Sequence, residues 1–397
     1  MHNGKSASIW NKDFILLLTV NAFVFISMHM LSTTIAKFSM SLSGAEAMAG
    51  VVAGIFSVSS IIVRPICGNL IDRKKKKRLY LFSMVVILIS MLGYSVSAHN
   101  AVLIFFRLLH GVGWGFATTI GMTMAANTAP EEKIGECTSV YGLANVLAMA
   151  LSPNLGSYLS GNFGYRVMFL GAAVIIGCAV VALSFVKDQP IPLGTQAKKI
   201  SVNTLILKEA AFPACVLFLN GMAYTSIITF LIAYGETAGI DKPSLFFSVY
   251  SVVILVVRLS SGRIVDRKGP GYILVPGGFF FVGCLLLLAN LQNAGMLYLA
   301  AVFLGFGYSA CLSTLMAVSM KRTTPDRRGI ASSTINVGVD LGAGIGSSAT
   351  GILIGWFGYS RMYLFLCIPV ILAVLIYLWD QKNYKKLKGI YTEGSPS

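Results

Sequence analysis

The sequence predicts an all-α integral membrane protein with twelve transmembrane helices in two pseudo-symmetric six-helix halves. Three observations carry this prediction. The 397 residues are 56% hydrophobic and 12% charged, against roughly 25% charged in an ordinary soluble domain. The apolar residues gather into twelve runs, each near the roughly 20 residues that a helix needs to cross the hydrocarbon core. One signature also repeats at a fixed offset: Arg64, Gly68, Asp72 and Arg73 return 194 residues later as Arg258, Gly262, Asp266 and Arg267. The same offset carries Gly111 and Gly113 onto Gly305 and Gly307, and Phe163-Gly164-Tyr165 onto Phe357-Gly358-Tyr359. A period near half the chain length means two related halves, each crossing the membrane several times.

The runs lie at 14–36, 47–67, 79–98, 101–126, 134–159, 165–186, 211–235, 243–262, 271–291, 296–320, 329–354 and 359–379. None is a short alternating segment of the kind a β-barrel requires. The first run sets Asn21, Phe25 and His29 along one side at helical spacing. The second ends on Arg64 and opens into the basic stretch Arg73 to Arg78. The fourth carries Arg107, His110 and Trp114, and the fifth carries Ser152, Pro153 and Gly156. The seventh places Asn220 and Tyr224 on one face, and the eleventh holds Asn336 and Asp340. Residues 1–186 thus form the N-terminal half and 209–397 the C-terminal half with a short tail. Between them, 187–208 contains Pro190, Pro192 and Gly194 and is expected to be a cytoplasmic linker.

Orientation follows from the basic residues. With the N-terminus inside, 24 Lys and Arg fall on inner segments and four on outer loops, Lys37, Arg166, Lys242 and Arg361. Both termini are therefore expected in the cytoplasm, with the protein in the plasma (inner) membrane. The net charge of +16 belongs to those inner loops and to anionic lipid contact rather than to nucleic acid. The N-terminal apolar run is too long for a signal-peptide core. Seven cysteines fall within or beside the runs without a CxxC pair, so no disulfide framework, metal or cofactor is expected. No GxxxxGK[ST] motif occurs, so the driving energy must come from a gradient or from the substrate itself.

Several stretches resemble motifs of the major facilitator superfamily. Gly68-Asn69-Leu70-Ile71-Asp72-Arg73 is similar to that family's first cytoplasmic motif, with Lys75 where a second glycine is usual. Gly262 to Gly269 keeps that glycine, so the two turns are expected to differ. The glycines allow close helix approach, and the aspartates can bond helix ends or arginines as an inner latch. Arg107-x-x-His110-Gly111-x-Gly113 resembles the family's R-x-x-Q-G-x-G, with histidine for glutamine. Ala148-x-x-x-Ser152-Pro153-x-x-Gly156 resembles G-x-x-x-G-P-x-x-G, which in the family accompanies proton-coupled exporters. The resemblance implies the major facilitator fold, alternating access and the efflux branch.

Titratable residues inside the runs narrow the chemistry. Asp340 lies about ten residues into its run, roughly 15 Å deep at 1.5 Å per residue. Gly338, Gly342 and Gly346 line the opposite face, so the helix can pack on one side and present a polar strip on the other. Burial favours the neutral acid and a nearby cation, with Arg107 in view, favours the carboxylate. An acid held between the two can exchange a proton, although a structural aspartate paired with a neighbouring helix fits equally well. Arg107 is costly in a bilayer, roughly 2.5–3.5 kcal/mol on insertion scales, and either lines a cavity or snorkels outward. His29 either titrates or hydrogen-bonds a neighbour. Proton-coupling candidates are Asp340, His29 and Arg107. Cavity candidates are Asn21, Phe25, Arg107, His110, Trp114, Asn220, Tyr224, Asn336 and Asp340.

The expected function is alternating-access transport of a small organic molecule, with proton-coupled efflux of a drug-like compound or metabolite ahead of a proton-linked importer or facilitator. Protons, the substrate and the lipid bilayer are the expected partners of a monomer. An enzyme would need a nucleophile–base set, and the four histidines, His2, His29, His99 and His110, do not group.

Overall fold

The computed structural model describes residues 9–71, 75–130, 133–188, 207–322 and 328–393. Asp72 and Arg73 lie outside the described residues, and at Gly68, Arg258, Gly262 and Asp266 only the backbone is described. The described chain is helical throughout, with no strand among the described residues.

Helix α1 (Lys12–Ser32) starts where Asn11 Oδ1 accepts from the Phe14 N–H and Asn11 Nδ2 donates to Thr128 O, 2.9 Å in each case. The side chain thus satisfies an orphan donor of the first turn. A bend follows at Thr33 and Thr34, and Thr34 Oγ1 bonds back to Met30 O at 2.7 Å. Helix α2 (Ile35–Ser43) then continues to Gly44, whose φ of 70° stops it. The first apolar segment therefore runs from Lys12 to Ser43, past the expected end at residue 36, because the bend does not break it.

The remaining helices are α3 (Glu46–Ile71), α4 (Lys76–Ser95), α5 (Asn100–Ala126), α6 (Ile134–Phe163) and α7 (Tyr165–Ser184). After residue 207 come α8 (Lys208–Thr237), α9 (Leu245–Lys268), α10 (Gly271–Ala289) and α11 (Ala294–Leu304). A π-turn at Gly305–Ser309 links α11 to α12 (Ala310–Arg322), and α13 runs from Arg328 to Glu393. Among the described residues, nine segments are long and apolar enough to cross a bilayer. One of these, Thr334–Gln381, has 48 residues, about 72 Å at 1.5 Å per residue. That is more than twice the hydrocarbon thickness, and the segment breaks at Gly358.

The 194-residue offset reappears in the helix boundaries. Helix α6 maps onto residues 328–357 of α13, α5 onto the α11–α12 run, and α4 onto α10. The reversals agree as well: Gly164 has φ 84° and ψ 163°, and Gly358 has φ 76° and ψ 172°. Only glycine adopts this region without strain, which explains the repeated Phe-Gly-Tyr. The basic turns differ as expected. Gly269 has φ 94°, whereas Lys75, at the equivalent position, has φ −59°.

The buried apolar residues divide along the chain. One cluster draws on residues from Ile9 to Val186, and a second lies mainly between Ala223 and Val370. The two repeats meet where α3 packs on α13 and α6 packs on α9. These two crossings exchange under the offset. Small residues make the first crossing close: a Cβ on Gly54 would lie 2.6 Å from Ser348 Oγ. On the other side of α13, Gly338, Gly342 and Gly346 meet the α8 residues Ala214, Phe218 and Met222. The glycine stripe packs as expected. The opposite strip is not an open wall, because Gly344 and Ser347 are occupied against α3.

Candidate functional site

Asp340 sits at the α3–α13 crossing. Arg64 Nε lies 2.7 Å from Asp340 Oδ2, and Ser60 Oγ donates to the same oxygen at 3.4 Å. Ser60 and Arg64 are one helical turn apart on α3, so both reach the same side of α13. Arg64 Nη1 extends to Thr118 Oγ1 at 3.5 Å. One carboxylate thereby ties α13 to α3 and, through arginine, to α5. The side chains are 17% and 14% exposed, sheltered enough for the pairing to matter more than a surface ion pair.

The expected cation is not the one found. Arg107 is 2% exposed and turns to α3, where Nε donates to Val52 O at 3.0 Å and Nη2 to Ala53 O at 2.9 Å. Its guanidinium lies 4.7 Å from the Phe56 ring centroid, within cation–π range. Arg107 does not snorkel to the surface, and it is not the partner of Asp340. Two of its donors are taken up by carbonyls where α3 crosses α5.

His110 also turns away from open space. It is buried, with Nδ1 3.1 Å from Tyr94 Oη on α4. Asn21, 4% exposed, donates to Tyr141 O at 2.9 Å and ties α1 to α6. His29 takes the hydrogen-bonding course: its Nε2 lies 2.7 Å from Asn145 Oδ1. An aromatic chain then runs across three helices. Phe25 stacks on His29, Trp114 meets Phe25 edge-on at 5.3 Å, and Trp114 lies 6.0 Å from Phe56.

In the second repeat, Tyr224 stacks on Tyr308 at 3.9 Å with an interplanar angle of 8°. Tyr224 Oη reaches Met149 Sδ of α6 at 3.8 Å. Tyr308 stands within the π-turn, an irregularity that often marks functional positions. Asn220 is buried on α8, and Asn336 is half-buried one turn before Asp340 on α13. The structure thus brings together Asp340, Arg64, Ser60 and Thr118. It spreads the other candidates over two aromatic groups, one in each repeat.

Sequence reasoning did not find Arg64 as the partner of Asp340. It also missed Asn145, and it missed the ion pair between Lys37 Nζ and Glu236 Oε2 at 2.5 Å, which joins α2 to α8. The Ser60–Arg64 spacing on a helix was the available signal for the first. For the other two, opposite groups more than a hundred residues apart offer no local signal.

A model of the Major Facilitator Superfamily matches residues 17–347 and 277–394. The chain belongs to this superfamily. It is 25% identical over 358 residues to the multi-drug resistance efflux pump PmrA of Streptococcus pneumoniae, covering 86% of this chain and 88% of that one. It is 26% identical over 349 residues to the multidrug resistance protein MdtG of Proteus mirabilis, covering 83% and 84%. Among solved structures, a bacterial homologue of the human lysosomal transporter Spinster aligns with a TM-score of 0.80 at 13% identity, covering 94% and 97%. The nucleoside transporter NupG aligns with a TM-score of 0.75 at 13% identity, covering 91% and 99%. The protein is a multi-pass membrane transporter.

In this superfamily member, the proline-containing stretch of α6 faces two neighbours. Ser152 is buried, and a Cβ on Gly156 would lie 2.8 Å from Met30 O of α1. Around Pro153, Ser248 of α9 donates to Ala150 O at 2.6 Å, and Asn154 Nδ2 donates to Ser248 Oγ at 2.8 Å. Pro153 lacks the N–H that would bond Met149 O, and Ser248 of the adjacent repeat bonds the next carbonyl, that of Ala150.

Proposed function

We propose that this Major Facilitator Superfamily transporter exports a drug-like compound or metabolite in exchange for protons. The cycle is alternating access by a monomer in the plasma membrane. Twelve spans fall into halves at 1–186 and 209–397, joined by a cytoplasmic linker at 187–208, with both termini in the cytoplasm. The matched helix boundaries and the divided core support the two halves. The 48-residue apolar segment broken at Gly358 supports two crossings, one on each side of the break.

The observation that carries the reading is the Asp340–Arg64 pair across the crossing between repeats. A proton on Asp340 neutralises it and dissolves the ionic tie to α3; loss of the proton restores the tie. Removing one charge from a sheltered pair leaves the other uncompensated, at about 3–5 kcal/mol. Protonation at one point can therefore shift the balance between two arrangements of the repeats. In the proposed orientation, Lys37–Glu236, Gly50–Gly351 and the Ser248–Ala150 bond all lie on the outer side. The arrangement described is accordingly one closed toward the outside. Export rather than import is supported by the names of the efflux relatives and by the Ser152-Pro153-x-x-Gly156 stretch. The aromatic groups around Trp114 and Tyr224 suit a weakly polar, ring-containing substrate.

The test is proton movement in inside-out vesicles holding the purified protein and a preformed acid interior. Addition of a transported compound collapses the gradient with the intact chain and not with Asp340→Asn. Collapse of equal rate in both removes Asp340 from coupling. No response to any compound in a panel of drugs and small metabolites rejects proton-coupled export.

A further inference from the structure

The two repeats differ in how they satisfy their amides. In the first, Asn21 bonds Tyr141 O and Asn145 bonds His29. In the second, the Asn220 amide and the Tyr308 hydroxyl have no hydrogen-bond partner among the described residues, although the two residues are only 4% and 3% exposed. Nor are these polar atoms closed off in the packing, as the unbonded oxygens of Thr314 and Tyr363 are. A polar group held out of water but left open on one side is suited to a ligand that completes its bonds.

The two groups belong to one place. Asn220 stands one turn before Tyr224 on α8, so both share a face. That face looks toward the first repeat, because Tyr224 Oη reaches Met149 Sδ of α6 at 3.8 Å. Tyr308 joins it from the π-turn, with its ring 3.9 Å from that of Tyr224, and it interacts electrostatically with Asp340. Local packing holds the turn. A Cβ on Gly307 would come within 2.8 Å of the Phe281 backbone nitrogen, and Ser309 Oγ takes the Gly305 carbonyl at 2.6 Å.

The neighbouring charges exclude an ionic occupant. Arg64 already holds Asp340 at 2.7 Å, and Arg107, 2% exposed, is turned to the carbonyls of Val52 and Ala53. Among these side chains neither sign is left over, so an ion would be desolvated without a counter-ion. A carboxamide presents an N–H donor and a C=O acceptor side by side. A ligand ketone or ester answers only the donor, whereas a primary amide or a lactam answers both at once.

We propose that Asn220 and Tyr308 form a subsite for a neutral carboxamide or lactam carried on an aromatic ring. The inference rests on the reading of the chain as a transporter of ring-containing compounds and adds the polar group that it selects. The ligand amide pairs edge to edge with Asn220, its ring rests against the half-buried Tyr224, and the Tyr308 hydroxyl supplies one further hydrogen bond.

The test is saturation-transfer difference NMR on the full chain in phosphatidylcholine nanodiscs. Four probes share one ring: 2-naphthamide, methyl 2-naphthoate, 2-naphthoate and 2-naphthylmethylammonium. Each signal is corrected with protein-free nanodiscs. Half-saturation is expected at a concentration at least about tenfold lower for 2-naphthamide than for the other three. Asn220→Leu, of similar volume, raises the amide's half-saturation to that of the ester and leaves the ester's in place. Tyr308→Phe keeps the stacked ring and raises the amide's value about threefold. Equal binding of amide and ester overturns the proposal, as does tighter binding of either ion, which would mean that a buried charge is available after all. An amide preference that survives both substitutions also overturns it, and so does the absence of saturable amide binding by the folded, unsubstituted chain. The readout needs no proton gradient. Amide selectivity without proton flux keeps the subsite and rejects the antiport, whereas proton-coupled flux of compounds bound without amide selectivity does the reverse.

Discussion

Helix α5 and the α11–α12 run occupy the same register of the two repeats and carry opposite chemistry. Arg107, His110 and Trp114 of α5 correspond, 194 residues on, to Ala301, Leu304 and Tyr308. Helix α5 stays regular through Gly111 and Gly113, whereas the chain around Gly305 and Gly307 makes a π-turn. The first repeat buries a cation that bonds the carbonyls of Val52 and Ala53. The second replaces it with apolar packing and sets Tyr308 flat against Tyr224. The crossings diverge in the same way. Asp340 occupies the α3–α13 crossing, and its equivalent at α6–α9 is Val146, which is buried. Uncharged bonds from Ser248 and Asn154 hold that second crossing. A repeated backbone can therefore serve a cycle that is symmetric in shape while its titratable chemistry sits on one side only.

Substitutions that move chemistry between the repeats test this asymmetry. The largest effect is expected for Asp340→Asn, which lowers proton-driven flux at least 100-fold in vesicles while helicity and monodispersity hold. Adding Val146→Asp to that variant does not restore flux; recovery would mean that the two crossings are interchangeable. Next comes Arg107→Ala. It removes two charge-assisted hydrogen bonds and destabilises the protein by about 2 kcal/mol, read as a lower midpoint of thermal unfolding in detergent. Lys242→Ala, on an outer loop, leaves the midpoint in place, and equal shifts would return Arg107 to a snorkelling role.

Smaller effects test where the repeats agree. Gly164→Ala and Gly358→Ala force the same left-handed backbone on a residue with a Cβ, so each costs about 1–3 kcal/mol. Unequal losses would break the equivalence of the two reversals. Lys75→Gly, by contrast, changes stability by less than Gly269→Ala does, because Lys75 already has a negative φ. The smallest effect belongs to Lys37→Ala, where an exposed ion pair contributes about 0–1 kcal/mol. Its signature is salt sensitivity lost from the unfolding midpoint.

The sequence by itself determined what depends on local spacing and on solvent. Run length against bilayer thickness predicted long apolar helices, and the repeat offset pointed to equivalent elements, which the structure shows as α6 against residues 328–357. The repeated Phe-Gly-Tyr marked Gly164 and Gly358 as equivalent positions, although their dihedrals came from the structure; Lys75 in place of glycine announced a different basic turn. The small-residue stripe at Gly338, Gly342 and Gly346 marked a packing face. What faced that stripe, and what faced Asp340, were decided only by tertiary structure. Arg107 looked like the natural neighbour of the acid, yet Arg64, 276 residues away in sequence, takes that place. Helical periodicity tells which side chains share a face. Which faces meet, and at what depth, follows from how the helices cross, and close approach at Gly54 and Gly344 sets that crossing here.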